Sequence, residues 1–214
     1  MLVNKFSFAR ITSRMKKIVL ASASPQRKQL LEQIGLQFEV EPSNHTEIAS
    51  STLKPHELAR SLSREKALAV AGKHQNAIII AADTFIVCKG KIMGKPGTEA
   101  EAREMLAALS GKTHSVITGF TIIDADENRV VSQSVETKVY MKRLTPAEID
   151  AYVKSGEPLN RAGAYAIQGL GSVLIDKIEG DYFNVVGLPL SALTENLKEF
   201  EIDIFEPLIP ALLS

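Results

Sequence analysis

The chain is predicted to be an α/β protein, a mixed twisted sheet with helices packed against its faces, and two observations carry that prediction. Short apolar runs alternate with stretches of helical periodicity, and one run, Ala77-Ile-Ile-Ile-Ala-Ala-Asp83, is unbroken, as suits a central strand buried on both faces. Farther on, two segments rich in β-branched residues, 116–123 and 130–141, flank the polar stretch Asp124-Ala-Asp-Glu-Asn128. They read as a long antiparallel hairpin.

The elements follow in order. Ile18-Val-Leu-Ala21 reads as a strand, Ser22-Ala-Ser-Pro-Gln-Arg27 as a tight loop entering a helix, and Leu30, Leu31 and Ile34 continue at helical spacing. Ser24 is the expected N-cap, Pro25 suits the first turn and Gly35 the stop. A second strand is expected over 38–41 and a polar loop over 42–54. Pro55 opens a helix running to about Lys73, for which Leu58, Leu62, Leu68 and Ala69 form the predicted apolar stripe. The strand that begins at Ala77 is expected to end at Asp83, followed by a small hairpin of 85–88 and 91–93 around Lys89-Gly90. Helices follow over 99–109 and from Thr145-Pro-Ala-Glu148, where an N-cap, a first-turn proline and a capping-box glutamate coincide. A strand over 172–178 and a helix over 189–200 complete the pattern.

Composition narrows the function classes. A chain of 214 residues with 45% apolar and 23% charged residues has the makeup of a globular protein with a real core. Residues 16–214 read as one domain, and 1–15 as an N-terminal extension. That extension carries Lys5, Arg10 and Arg14 without an acid, the composition of a transit peptide, although a segment without structural purpose explains it more simply. Twenty-five basic residues balance twenty-five acidic ones, aromatics are 6% and tryptophan is absent, so a nucleic-acid-binding module is disfavoured. No run approaches the roughly 18 apolar residues of a membrane span. The single cysteine, Cys88, lies in an apolar run as a buried thiol would, and the lack of a disulfide framework fits a cytoplasmic protein.

Two apparent nucleotide motifs fail. Gly111-Lys-Thr113 has Leu106 where a Walker A loop needs its first glycine, and Gly169-Leu-Gly171 has Leu174 where a dinucleotide fingerprint needs its third. The four histidines lack ligand spacing, and no serine sits in a Gly-x-Ser-x-Gly elbow. Ser22 to Arg27 is the better phosphate site, because a strand that feeds a helix N-terminus aims unpaired N–H groups outward. Ser22 and Ser24 add hydroxyls and Arg27 a planar fork; the competing reading is an ordinary capped helix with a solvated arginine. Asp83 at the end of a buried strand needs a partner or a metal. Glu47, in the polar loop, is a second carboxylate that could join it around Mg²⁺, or simply a solvated charge. Lys66 is expected to lay its stem on apolar surface with its head reaching outward, and Lys95 sits between Gly94 and Pro96.

Taken as an ordered series, Leu20-Ala-Ser-Ala-Ser-Pro-Gln-Arg27, Arg64-Glu-Lys-Ala67, Ala82-Asp-Thr84, Gly94-Lys-Pro96, Leu109-Ser-Gly-Lys-Thr-His114, Ala162-Gly-Ala-Tyr-Ala-Ile-Gln-Gly169 and Val186-Gly-Leu-Pro189 resemble the Maf family of nucleoside triphosphate pyrophosphatases. The resemblance implies an elongated fold related to the inosine triphosphate pyrophosphatases, two lobes with a central cleft, a divalent cation (Mg²⁺, Mn²⁺ or Co²⁺), and a homodimer. It implies that Ser22, Arg27, Lys66 and Lys95 contact the triphosphate, that Glu47 and Asp83 hold metal, and that Asp83 accepts a proton. Thr84 and Gln168 match the branch that acts on dTTP and UTP. Gln26 departs from it, since that branch usually carries arginine there. A role as a nucleotide-binding regulator of cell division, also attached to the family, is the alternative implied.

Overall fold

The computed structural model describes residues 16–43, 52–127 and 129–206. The extension 1–15 and Glu47 lie outside them. The first unit is β1 (Lys17–Leu20), α1 (Pro25–Gln33), β2 (Glu39–Val40), α2 (Pro55–Ala71) and β3 (Ala77–Cys88). β1 pairs in parallel with β2 on one side and with β3 on the other. The chain therefore leaves β1 in one direction and returns past it in the other. The two crossover helices consequently land on opposite faces. Leu30 and Leu31 of α1 pack with Leu20, Ile78 and Ile80, whereas Ala67 and Val70 of α2 pack with Val19, Ile79 and Ala81. Beyond the C-terminal end of β1 lies the topological switch point of the sheet.

The rest of the sheet is antiparallel. β4 (Lys91–Met93) folds back on Ile86–Cys88 of β3, and β5 (Thr113–Asp124), β6 (Val130–Met141) and β7 (Ile175–Glu179) extend the sheet in the order β2-β1-β3-β5-β6-β7. β3, β5 and β6 are 12 residues each, long enough to carry two cores end to end. On the face of α1, Ile80, Ala82, Phe120 and Ile122 pack with Leu188, Leu190 and Leu193 at one end. At the other end of that face, Ile86, Val116, Val139 and Met141 pack with Leu106 and Leu109 of α3 (Glu99–Leu109) and with Ile149, Tyr152 and Val153 of α4 (Pro146–Lys154). The strand residues between the two cores are Thr84 and Thr118, directly opposite one another in the ladder. This hydrophilic seam separates the cores of the two lobes.

β3 differs from the expected strand that stops at Asp83. Ile78 to Val87 pair without interruption with Asp124 to Ser115 of β5, so Asp83 lies in mid-strand. The other edge is interrupted. β1 covers Ala77–Ile80 and β4 covers Ile86–Cys88, which leaves a gap beside residues 81–85.

α2 also differs, in the face it buries. Its buried residues are Ala59, Ser63, Ala67 and Val70, while Leu68 is 51% exposed and Leu58 and Leu62 pack only at the flank. The helix lies so close to the sheet that a Cβ on Gly119 would come within 2.0 Å of the Ala59 carbonyl oxygen. Leucine cannot occupy such a contact, and small residues do. Toward the C-terminus, 3-10 turns occupy Glu157–Asn160, Ala162–Ala164 and Gly169–Leu174, so β7 starts at Ile175 rather than 172. A short helix, α5 (Tyr182–Val186), precedes α6 (Leu190–Leu197). Among the described residues no helix is long and apolar enough to cross a membrane.

Candidate active site

The gap in the edge of β3 faces the end of β1, and the loop 21–24 turns over it. Ala21 N–H still donates to the Ile80 carbonyl at 2.8 Å, after which the chain breaks away into α1. Ser22 is buried, and its Oγ accepts from Ser24 N–H at 3.2 Å and from Arg27 Nη1 at 3.0 Å. Ser24 occupies the N-cap position, but its hydroxyl turns to Gln26 Oε1 at 3.3 Å and caps nothing. Pro25 has no N–H to lose. The first turn of α1 thus keeps its backbone donors without a side-chain cap, the arrangement that receives anions.

Arg27 ties this turn to the threonine seam. Its Nε donates to the Gly187 carbonyl at 2.9 Å and its Nη2 to Thr84 Oγ1 at 3.1 Å. Gly187 has φ +126°, a conformation closed to other residues without strain, and that bend brings its carbonyl to the guanidinium. Behind Thr84 the hydrogen bonds have a fixed direction. Thr118 Oγ1 donates its one proton to the Asn184 carbonyl at 2.9 Å, so in its 2.9 Å contact with Thr84 it accepts. Thr84 therefore donates to Thr118 and accepts from Arg27. The series runs from Arg27 through Thr84 and Thr118 to Asn184, which is itself fully buried and donates through Nδ2 to the Val116 carbonyl and Thr137 Oγ1, both at 3.0 Å.

Asp83 leaves the opposite face of β3, toward α2. It is 7% exposed, and Lys66 Nζ forms an ion pair with its Oδ1. The expected outward reach of Lys66 is corrected here: its side chain is 14% exposed, with the ammonium turned in to the carboxylate. A buried carboxylate recruits the nearest cation because solvation by water has been lost. Asp83 and Thr84, successive residues on one strand, thus border the same gap from its two faces.

Of the other sequence-predicted residues, Gln26 belongs to the same α1 turn, whereas Lys95 and Gln168 are exposed on loops. Lys95 is exposed on the loop after β4, whose Gly94 carbonyl accepts from Gly163 N–H at 2.8 Å. Gln168 is exposed just ahead of the turn Gly169–Leu174, and Gln26 is half-buried on α1. Thr118, Asn184 and the Gly187 carbonyl are site residues that residue-level reading did not single out. Gly187 falls in the block Val186-Gly-Leu-Pro189, whereas Thr118 and Asn184 fall in none of the blocks that carry the resemblance. His114, near the second lobe's core, donates to or accepts from Tyr165 Oη at 2.7 Å, and burial pushes its imidazole down to about 4. It is a neutral core residue rather than a general base for this gap.

The arrangement can bind an anion at the α1 N-terminus and present a carboxylate and an ammonium from the other side. Known proteins resemble the chain in sequence. The model of the Maf-like protein family matches residues 17–200. The chain is 48% identical over 190 residues to a dTTP/UTP pyrophosphatase of Bacillus cereus, covering 89% of this chain and 93% of that protein. It is 47% identical over 191 residues to a dTTP/UTP pyrophosphatase of Moorella thermoacetica, covering 89% and 98%. Among solved structures, a HAM1 protein from Coxiella burnetii superposes with a TM-score of 0.52 at 16% identity, over 86% of this chain and all of that one. That likeness concerns the fold.

Proposed function

The chain belongs to the Maf-like protein family, and from that premise we propose that it is a nucleoside triphosphate pyrophosphatase that hydrolyses dTTP and UTP to the monophosphate and pyrophosphate. The observation that carries the reading is the meeting, at one gap in β3, of the uncapped α1 turn with Arg27 on one side and the Asp83–Lys66 pair on the other. Anionic phosphates suit the first and proton transfer the second.

In the reaction, water attacks phosphorus, the P–O bond to the leaving pyrophosphate breaks, and the water proton passes to Asp83. Ser22, Arg27, Lys66 and Lys95 bind phosphate oxygens. Their charge matters most as negative charge shifts to the leaving group. Arg27 reaches the substrate already oriented, because three of its N–H groups are held by Gly187, Ser22 and Thr84. Lys66 changes partner as phosphate arrives, releasing Asp83 to act as base. Gln26, Thr84 and Gln168 govern the choice of base, and Thr84 does so through Arg27, since its single proton is committed to Thr118.

A divalent cation, Mg²⁺, Mn²⁺ or Co²⁺, fits this donor set. Such ions take one or two carboxylates and complete their shell with phosphate oxygens and water. Asp83 supplies a carboxylate at the gap, Glu47 would supply the second, and among the described residues no cluster of three His, Cys, Asp or Glu forms a resident cage. When bound, the cation neutralises phosphate charge and orients the scissile bond.

The test is pyrophosphate release from dTTP, UTP, CTP, GTP, ITP and 7-methyl-GTP with each of the three metals. Release from dTTP and UTP ahead of the purine nucleotides is expected. A strong purine preference would overturn the substrate assignment, and no release from any of them the activity.

A further inference from the structure

Away from the gap, a carboxylate and a phenol in the second lobe grip one loop at both ends. Glu157, first residue of the turn Glu157–Asn160, accepts from Leu170 N–H through Oε2 at 3.0 Å and from Gly171 N–H through Oε1 at 2.9 Å. The same Oε1 accepts from Tyr152 Oη at 2.7 Å, and that hydroxyl accepts in turn from Ala166 N–H at 3.2 Å. Two glycines let the loop close this tightly. A Cβ on Gly169, at φ +70°, would lie 2.6 Å from Glu157 Oε2, and one on Gly171 would lie 2.4 Å from Tyr152 Oη.

The residues between these grips include Gln168, whose backbone is thereby fixed on both sides while its side chain stays exposed. Tyr152 is held by its ring among Leu106, Ile149 and Val153 and is 3% exposed, so its hydroxyl takes its partners from the protein. A part-buried network of four hydrogen bonds thus serves this one exposed loop. Burial pushes the Glu157 carboxyl up, but the bonds from Tyr152, Gly171 and Leu170, with Arg161 nearby, outweigh it and hold the group below its usual range. It remains an anionic acceptor throughout the neutral range.

Resting on the proposed function, in which Gln168 meets the nucleotide base, we propose that Glu157 and Tyr152 are positioning residues that fix the loop 166–171 and thereby set discrimination between bases. A side chain presented from a rigid backbone distinguishes hydrogen-bonding edges, whereas one on a loose loop accommodates several.

Glu157→Gln keeps Oε1 but turns an amide NH₂ toward the Leu170 donor. Tyr152→Phe keeps the ring and removes the hydroxyl. Both variants are compared with wild type by amide hydrogen exchange and by kinetics on dTTP and GTP. Exchange at Leu170 in the first variant, and at Ala166 in the second, is expected to rise by about tenfold or more, the factor that corresponds to one lost hydrogen bond. KM for dTTP should rise about tenfold with kcat little changed, and the preference for dTTP over GTP should narrow. In a Gln168→Ala background the kinetic effect should vanish. Unchanged exchange, equal losses on both nucleotides, or the same factor with and without Gln168 would overturn the proposal. Wild-type protein that releases no pyrophosphate would instead remove the proposed function, before any variant is made.

Discussion

Lys66 of α2 and Asp83 of β3 form an ion pair across the helix–sheet interface, with side chains 14% and 9% exposed. A pair so placed holds its members by mutual need, because each has lost water and has the other as compensation. Asp83→Asn should therefore do two things. Turnover on dTTP should fall on the order of 10² or more, as expected for a lost general base. Stability should fall by about 3 kcal/mol, because the Lys66 ammonium is left buried beside a neutral amide. Adding Lys66→Met should restore most of the stability and none of the turnover. Urea melts and initial rates on wild type and the two variants separate the two effects, and retained turnover in Asp83→Asn would remove Asp83 as the base.

The directed series from Arg27 through Thr84 and Thr118 predicts a different kinetic signature. Thr118→Val is nearly isosteric but leaves the Asn184 carbonyl and the Thr84 proton without their partner. Stability should drop by about 1–2 kcal/mol, the cost of a buried unsatisfied group. Thr84 would then swing toward the Gly187 carbonyl, now 3.5 Å away, and loosen Arg27. KM should rise several-fold while kcat stays close to wild type, since Arg27 would still be present but less well aimed. Equal KM values would show that the guanidinium is oriented without the threonines.

Much of this fold was legible because its signals are local. Thr145 caps its helix through the predicted box with Glu148, and Gly35 takes φ +74° where a stop was expected. The hairpin of β5 and β6 follows from residue type and turn sequence within 30 residues. What escaped was set by distance. Asp83 looked like a strand end because an acid rarely sits in mid-strand, and only pairing with β5 and the ammonium of Lys66 make that placement tolerable. The leucines of α2 looked like its buried face until the close approach at Gly119 reserved that face for alanine and serine. Arg27 was expected to meet phosphate from its place in the loop, but its orientation depends on Gly187, 160 residues away. No local spacing encodes that contact.

His114 gives the protein a stability dependence on pH that is separate from the site. Its imidazole is pushed by burial from 6.5 to about 4, so the folded protein resists a proton that the unfolded chain accepts. Because the folded value is depressed, the contribution is complete above about pH 6.5 and is lost as pH falls toward 4. Between pH 7 and pH 5 the loss should be about 2 kcal/mol by linkage. His114→Phe, which gives up the bond to Tyr165, should be less stable at pH 7 but flatter over that interval. Urea midpoints at the two pH values check this, and an equal slope in the variant would assign the dependence to other groups.

Gln26 is the remaining departure from the branch that the chain otherwise resembles, and its surroundings say what an arginine would change. It sits in the first turn of α1, half-buried, accepting through Oε1 from the Ser24 hydroxyl. Gln26→Arg would release that hydroxyl and add a second guanidinium beside Arg27 at a helix N-terminus, where positive charge is unwelcome until an anion arrives. The free protein should lose about 0.5 kcal/mol of stability for this reason. Triphosphate should more than offset it, lowering KM for dTTP by roughly threefold to tenfold through a charge-assisted contact. The gain should shrink as salt is raised from 50 to 300 mM, because an exposed ion contact is screened. A KM that is unchanged at low salt would mean that the residue at 26 does not reach the phosphates, and that its influence on selectivity is exerted on the base.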